Sequence, residues 1–201
     1  MRPPLRTTVL LAASLLAAAG CGPSEGNAAS ESAVAAAPVS DFSVYDLPST
    51  WRDQRGDTLR LAALAGHVRV VAMAYTSCEA TCPLIVADLK RVEASLPAER
   101  RGDVGFVLVS LDPERDTPGR LAEWAARTGL DPARWTLLAG ADDAVRELAA
   151  TLDVRYQRQP DGELAHTNGL TVLDSAGAVA HRQAGLGDTE ATIRVLGELL
   201  R

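Results

Sequence analysis

The sequence predicts one mixed α/β domain, a central sheet with helices on both faces, over residues 41–201. Three observations predict it. Residues 68–75 and 104–110 are nearly unbroken apolar, β-branched runs, the pattern of strands covered on both faces. Each leads into an amphipathic helical pattern, from Leu84 and from Pro118, as in a strand–helix–strand crossover. Beyond residue 169 the order changes to two strands around Asp174-Ser175-Ala176-Gly177 and a last helix, which makes the sheet mixed rather than purely parallel.

The chain before this domain reads as export machinery. Arg2 and Arg6 form a positive n-region, and residues 9–19 form an apolar h-region too short for a membrane span of about 20 residues. It ends in Ala18-Ala19-Gly20-Cys21, which resembles the bacterial lipoprotein signal, although Ala18 stands where that pattern more often has Leu. On this reading residues 1–20 are a signal peptide and Cys21 becomes the lipid-modified first residue, anchoring the domain outside the cytoplasm. The alternative is a plain secretory signal with a chance cysteine. Residues 21–40, small, polar and poor in large apolar side chains, form a flexible tether with a reach on the order of 25 Å.

Composition narrows the function classes. The 201 residues are 47% hydrophobic and 23% charged, enough for one good core. The net charge is −6, and losing residues 1–20 removes two arginines and no acid. No basic run is interleaved with aromatics, so nucleic acid is excluded as a partner.

Along the domain, residues 42–47 alternate as an edge strand closed by Pro48. Trp51 reads as core or rim, and Arg55-Gly56-Asp57 as a turn. Leu59, Leu61 and Leu64 follow at strand-to-helix spacing before Gly66. After the strand at 68–75, Ile85, Leu89, Val92 and Leu96 form one helical stripe that Pro97 ends. Thr117 is the expected N-cap of the next helix, with Pro118 at its first position, Leu121, Trp124 and Ala125 inward and Gly129 as terminator. Residues 135–138 read as a short strand, and Asp142 as the cap of a helix carrying Val145, Leu148 and Leu152. Residues 156–163 read as a polar, mobile segment with a turn at Pro160-Asp161-Gly162. Strands at 169–173 and 177–181 follow, and a helix over 189–200 turns Ile193, Leu196 and Leu200 inward. No internal repeat is present. This order of elements is best matched by a thioredoxin-like fold.

The chemistry concentrates at the turn Tyr75-Thr76-Ser77-Cys78-Glu79-Ala80-Thr81-Cys82-Pro83. With Cys21 assigned to lipid, Cys78 and Cys82 remain as a matched pair in an oxidising compartment. Pro83 prefers the first helical position, so Cys82 is expected near the N-cap, where the helix dipole favours thiolate. Such a pair can close a disulfide, hold a soft metal, or act as nucleophile and resolving thiol. Structural zinc would need a second ligand pair. Of the three histidines, His67 falls at the far end of its strand and His181 reads as a surface imidazole. His166 lies in the loop Ala165-His166-Thr167-Asn168 before a strand.

Three motifs taken together resemble the SCO/SenC family: Cys78-x-x-x-Cys82-Pro83 after Ala74-Tyr75-Thr76-Ser77, residues 109–118 (Val-Ser-Leu-Asp-Pro-Glu-Arg-Asp-Thr-Pro), and His166-Thr167-Asn168 before Leu173-Asp174. The resemblance covers most of 41–201. It implies a thioredoxin-like fold, a membrane anchor facing the extracytoplasmic side, and a metallochaperone delivering copper to the binuclear copper centre of cytochrome c oxidase. It further implies Cys78, Cys82 and His166 as ligands of Cu(I) or Cu(II), the oxidase copper-site subunit as partner, and other copper chaperones or thioredoxin-like reductants as further partners. Asp112 becomes a candidate acid steering the thiols or the histidine. The alternative is a thiol–disulfide oxidoreductase using the Cys78–Cys82 disulfide. Two departures stand out. The insert is Glu79-Ala80-Thr81, whose acid should raise the thiol pKa values, and Ala165 stands where the family often has Asp before the histidine.

Overall fold

The computed structural model describes residues 42–201. The segments read as a signal peptide (1–20) and a tether (21–40), with Cys21, lie outside the described residues. Among the described residues nine strands and four α-helices follow in the order β1 (Thr50–Asp53), β2 (Thr58–Arg60), β3 (Val68–Ala74), α1 (Cys82–Ser95), β4 (Val104–Ser110), α2 (Pro118–Thr128), β5 (Trp135–Gly140), α3 (Asp142–Thr151), β6 (Tyr156–Arg158), β7 (Leu164–His166), β8 (Gly169–Leu173), β9 (Val179–Ala184) and α4 (Glu190–Leu199). Seven strands form one sheet in the order β2-β1-β5-β4-β3-β8-β9, while β6 and β7 form a separate two-stranded sheet. β3, β4 and β5 are parallel, and the outer pairings are antiparallel.

The two apolar runs occupy the centre. Every residue of β4 is buried, and so is every residue of β3 except the half-buried Arg69. Right-handed crossovers from β3 to β4 and from β4 to β5 advance in the same direction, which puts α1 and α2 on one face. Lys90 of α1 accordingly donates to the Thr128 carbonyl at the end of α2, and α4 packs beside α1. The central strands are covered on both sides, so the opposite face falls to α3. The Thr151 carbonyl of α3 accepts from Arg182 of β9 at 3.0 Å.

The helical stripe of α1 is buried as its spacing predicts: Ile85, Leu89 and Val92 have no exposed surface. Each such side chain contributes about 1.5–3 kcal/mol of apolar burial. Thr117 caps α2 by accepting from Arg120 N–H at 3.4 Å, and Gly129 ends it in the left-handed region at φ 64°, where a side chain would be strained.

Several expectations are corrected. Residues 42–47 do not form an edge strand. Ser43 and Asp46 make a reciprocal capping box around a 3-10 turn, Val44–Asp46. The consecutive pair Val44 and Tyr45 is buried, which an alternating strand could not do. Residues 50–53 form a strand instead, and the fully buried Trp51 packs where a Cβ at Gly140 would stand 2.7 Å from its ring. Asp142 is the first residue of α3, not its cap; Ala141 holds that place without a side-chain bond. The polar segment 156–163 contributes β6 and a turn with Gly162 at φ 88°. His166 closes β7, paired with Tyr156, rather than lying in a loop.

Candidate metal centre

The cysteine turn joins the C-terminal end of β3 to the N-terminus of α1, at the edge of the parallel strands where ligands bind in open α/β sheets. Its approach is fixed by Asp116, which is fully buried. Asp116 accepts from the Thr76 amide at 3.1 Å, from the Thr76 hydroxyl, and from the Ser110 hydroxyl at 2.6 Å. The Cys78 amide then donates to the Tyr75 carbonyl at 3.2 Å. Leu84 and Ile85 amides both return to the Thr81 carbonyl at 3.0 Å, and the helix begins.

Both cysteines are free thiols, Cys78 half-buried and Cys82 fully buried. Their electrostatics differ from the sequence expectation. The helix N-terminus does not serve Cys82. Its amide donates to Cys78 Sγ at 3.4 Å, and the Thr81 hydroxyl lies 3.7 Å from the same sulfur. Burial raises the Cys78 pKa, but hydrogen bonds from Cys82 and then from Thr81 outweigh it and hold the thiol down at about 7. Burial, then the hydrogen bond to Cys78, push the Cys82 thiol far above its ordinary range, with the Asp116 charge adding to the effect. The exposed Glu79 is not what sets either thiol, contrary to the expectation that it would raise both.

His166 arrives from the other side of the turn, on β7. Its Nδ1 lies 3.2 Å from the Thr167 carbonyl. A carbonyl only accepts, so Nδ1 carries the proton and Nε2 keeps its lone pair. Nε2 is buried and has no hydrogen-bond partner. Burial depresses the imidazole pKa, against the smaller opposing effect of the Thr167 bond, so the ring stays neutral. One donor atom each from Cys78, Cys82 and His166 lie within 4.8 Å of one another. Two sulfurs and one imidazole nitrogen suit a soft cation such as Cu(I), and a buried nitrogen lone pair without a partner is what such an ion would satisfy.

His67 is exposed before β3, and His181 pairs with Val172 on the far hairpin. Neither belongs to the cluster. Asp112 is fully buried, but its carboxylate touches neither the thiols nor the imidazole. It accepts from Arg115 and, at 3.0 Å, from Arg158 of β6. Arg115 also donates to the Gly162 carbonyl at 2.8 Å. Asp112 therefore holds the hairpin that carries His166, at its turn end. Sequence reasoning missed Asp116 and Tyr75. The first stood in plain view in the Asp112-Pro113-Glu114-Arg115-Asp116 run. The second opens the cysteine turn but carries no role in the sequence reading.

A thioredoxin-like domain presenting a Cys–Cys–His donor set at its strand-to-helix turn is the class this fold and site define. The SCO1/SenC family model matches residues 43–201, and the chain belongs to that family. It is 29% identical to a SCO1 protein homolog of Bacillus subtilis (strain 168) over 145 residues, 71% of this chain and 75% of that protein. Among solved structures it is similar to BsSco, a member of the Sco family of cytochrome c oxidase assembly proteins in which a disulfide switch was identified. The identity is 26% and the TM-score 0.64, covering 75% of this chain and 90% of that one. Arabidopsis thaliana ScoI with copper bound shares the fold at 20% identity and TM-score 0.66, over 75% and 96% of the two chains.

Proposed function

We propose that the chain is a copper metallochaperone that binds one copper ion through Cys78, Cys82 and His166 and hands it to the copper-site subunit of cytochrome c oxidase. The observation that carries this reading is the His166 Nε2 lone pair, buried and unpartnered beside two thiols. Membership of the family supports it, as do the copper-bound and oxidase-assembly proteins it is similar to. The Thr167 carbonyl fixes the imidazole tautomer that leaves Nε2 free, and Cys78 provides a sulfur close to ionisation at neutral pH. The half-buried Cys78 is the sulfur an acceptor protein can reach, while Cys82 stays behind it.

In this reading residues 1–20 direct export, lipid on Cys21 holds the protein at the membrane, residues 21–40 give it reach, and 41–201 work on the extracytoplasmic side. The test is metal analysis with visible absorption on the reduced protein, titrated separately with Cu(I) and Cu(II). One equivalent bound per chain is expected. Binding of neither ion above background would overturn the proposal.

A second reading, thiol–disulfide exchange, is favoured by the asymmetry of the pair. Cys78 has the lowered pKa and access of an attacking thiol, and Cys82 the burial of a resolving one. The Cys78 thiolate would open a target disulfide to a mixed disulfide. Cys82 would then displace the target's second thiol, leaving Cys78–Cys82 oxidised and the target reduced by two electrons. Its test is reduction of a partner disulfide by the metal-free dithiol.

A further inference from the structure

We propose that Tyr75 is the positioning residue that sets His166 against the two cysteine sulfurs, an inference that rests on the metal-binding reading above. The His-bearing strand does not belong to the main sheet. β6 and β7 pair only with each other, and a lone two-stranded hairpin is at best marginally stable in water. The place of His166 is therefore decided by what ties this hairpin to the domain. Its turn is held by Arg115 and Arg158 through Asp112. Leu164 of β7 buries its side chain in the core, and Tyr75 adds the polar clasp, hydrogen-bonding to Glu163 and to the Leu164 amide at the start of the strand.

Tyr75 ends the central run at the last step before the cysteine turn and is 2% exposed. Its phenol donates to Glu163 Oε2 at 2.8 Å and accepts from the Leu164 amide at 3.3 Å. These bonds fall two and three residues before His166. Its ring then meets the imidazole edge-on, with centroids 6.0 Å apart and planes at 72°. Its backbone carbonyl takes the Cys78 amide. One residue thus touches both sides of the site. Its carbonyl orders the first cysteine, and its side chain fixes the height and tilt of the histidine. A phenylalanine would fill the same core volume and lose only the clasp on β7.

The experiment compares full-length wild type, Tyr75→Phe and Glu163→Gln in detergent, with two readouts. The first is hydrogen exchange of the metal-free protein, followed at the Leu164 and His166 amides and at β3 and β4. The second is Cu(I) affinity by competition with a chromophoric chelator. Tyr75→Phe removes a hydrogen bond to a carboxylate and is expected to speed exchange in β7 by about tenfold and to weaken Cu(I) by about tenfold. β3 and β4 should stay as protected as in wild type. Glu163→Gln, which keeps an acceptor oxygen, is expected to lie closer to wild type. Unchanged β7 exchange in Tyr75→Phe overturns the proposal, and so does uniformly faster exchange across the whole domain, which marks a merely structural residue. If wild type itself binds no Cu(I), the metal reading fails by that result, and the exchange data still decide whether Tyr75 holds β7.

Discussion

The backbone amide of Cys82 donates to the sulfur of Cys78 at 3.4 Å, so the first turn of α1 lends its positive end to the other cysteine. The two thiols are made unequal by burial and by the hydrogen bonds that converge on Cys78, from the Cys82 thiol, then its amide, and then Thr81. Cys78 gains the helix N-terminus and keeps partial access, while Cys82 is sealed beneath it with the negative charge of Asp116 nearby.

That inequality is measurable in the metal-free, reduced protein. The Cys78 thiol sits at about 7, below its ordinary 9.0. Raising the pH through 7 therefore converts it to thiolate, and its alkylation rate should rise with a midpoint there. Cys82 should remain unlabelled until the protein is unfolded. Iodoacetamide labelling followed by peptide mass spectrometry reads both at once. Preferential labelling of Cys82 in the folded protein would contradict the assignment.

The ligand set predicts a graded loss of copper. Cys78→Ala and Cys82→Ala should each abolish stoichiometric binding, because a single thiolate and an imidazole leave a soft ion poorly held. His166→Ala should retain Cu(I) on two sulfurs but weaken it by about a hundredfold. Even residues that only orient a ligand cost about ten- to a hundredfold when removed. Competition titration ranks the three. Wild-type affinity in His166→Ala would remove the histidine from the site.

How much of this was legible in the sequence depends on the range of the interactions involved. The central strands and the four helices announced themselves, because a continuous apolar run or an i, i+4, i+7 stripe is a local signal of burial. Cys78, Cys82 and His166, which the structure brings within 4.8 Å of one another, were grouped only because three motifs together resemble a family. What failed was of two kinds. The segment 42–47 looks strand-like until the Ser43–Asp46 reciprocal bonds are counted, and β6–β7 is polar because much of its anchoring comes from distant partners. Asp112 and Arg158 are 46 residues apart, and Tyr75 and Leu164 are 89 apart. The asymmetry of the thiols was misread for a related reason. The dipole argument names the helix end but not which sulfur the free amide points at.

Acid should weaken the domain through Asp53. This carboxylate is fully buried at the β1–β2 turn, where it accepts from Arg55 Nε at 2.9 Å and from the Arg55 and Asp57 amides at 2.8 and 3.0 Å. Burial raises its pKa, but these bonds outweigh burial and leave the folded value below 3.8. A depressed carboxylate contributes stability that is fully present above its unfolded value. That stability is lost as the pH falls from about 3.8 through the folded value. Asp53→Asn should flatten this part of the stability–pH curve, and Asp53→Ala should cost about 2 kcal/mol at neutral pH. Urea unfolding from pH 2 to 7 checks both, and an acid limb unchanged in Asp53→Asn would count against the assignment.

Asp112 sets the last prediction, because its effect on copper must pass through the hairpin. The carboxylate is fully buried and meets two guanidinium groups, one from the α2 approach and one from β6, and Arg115 continues to the Gly162 carbonyl. Asp112→Ala leaves two arginines without their shared acid and frees the turn end of the hairpin. The partners are partly exposed, so the released charges can be solvated, and the cost should fall on the hairpin rather than on the sheet. Amides over 156–166 should then exchange faster, while the Cys78 alkylation midpoint stays where it is, since no contact joins Asp112 to the thiols. Cu(I) affinity should fall by less than in His166→Ala. A shifted Cys78 midpoint would mean that Asp112 acts on the thiols directly, and the arginine clamp would then be the wrong explanation of its burial.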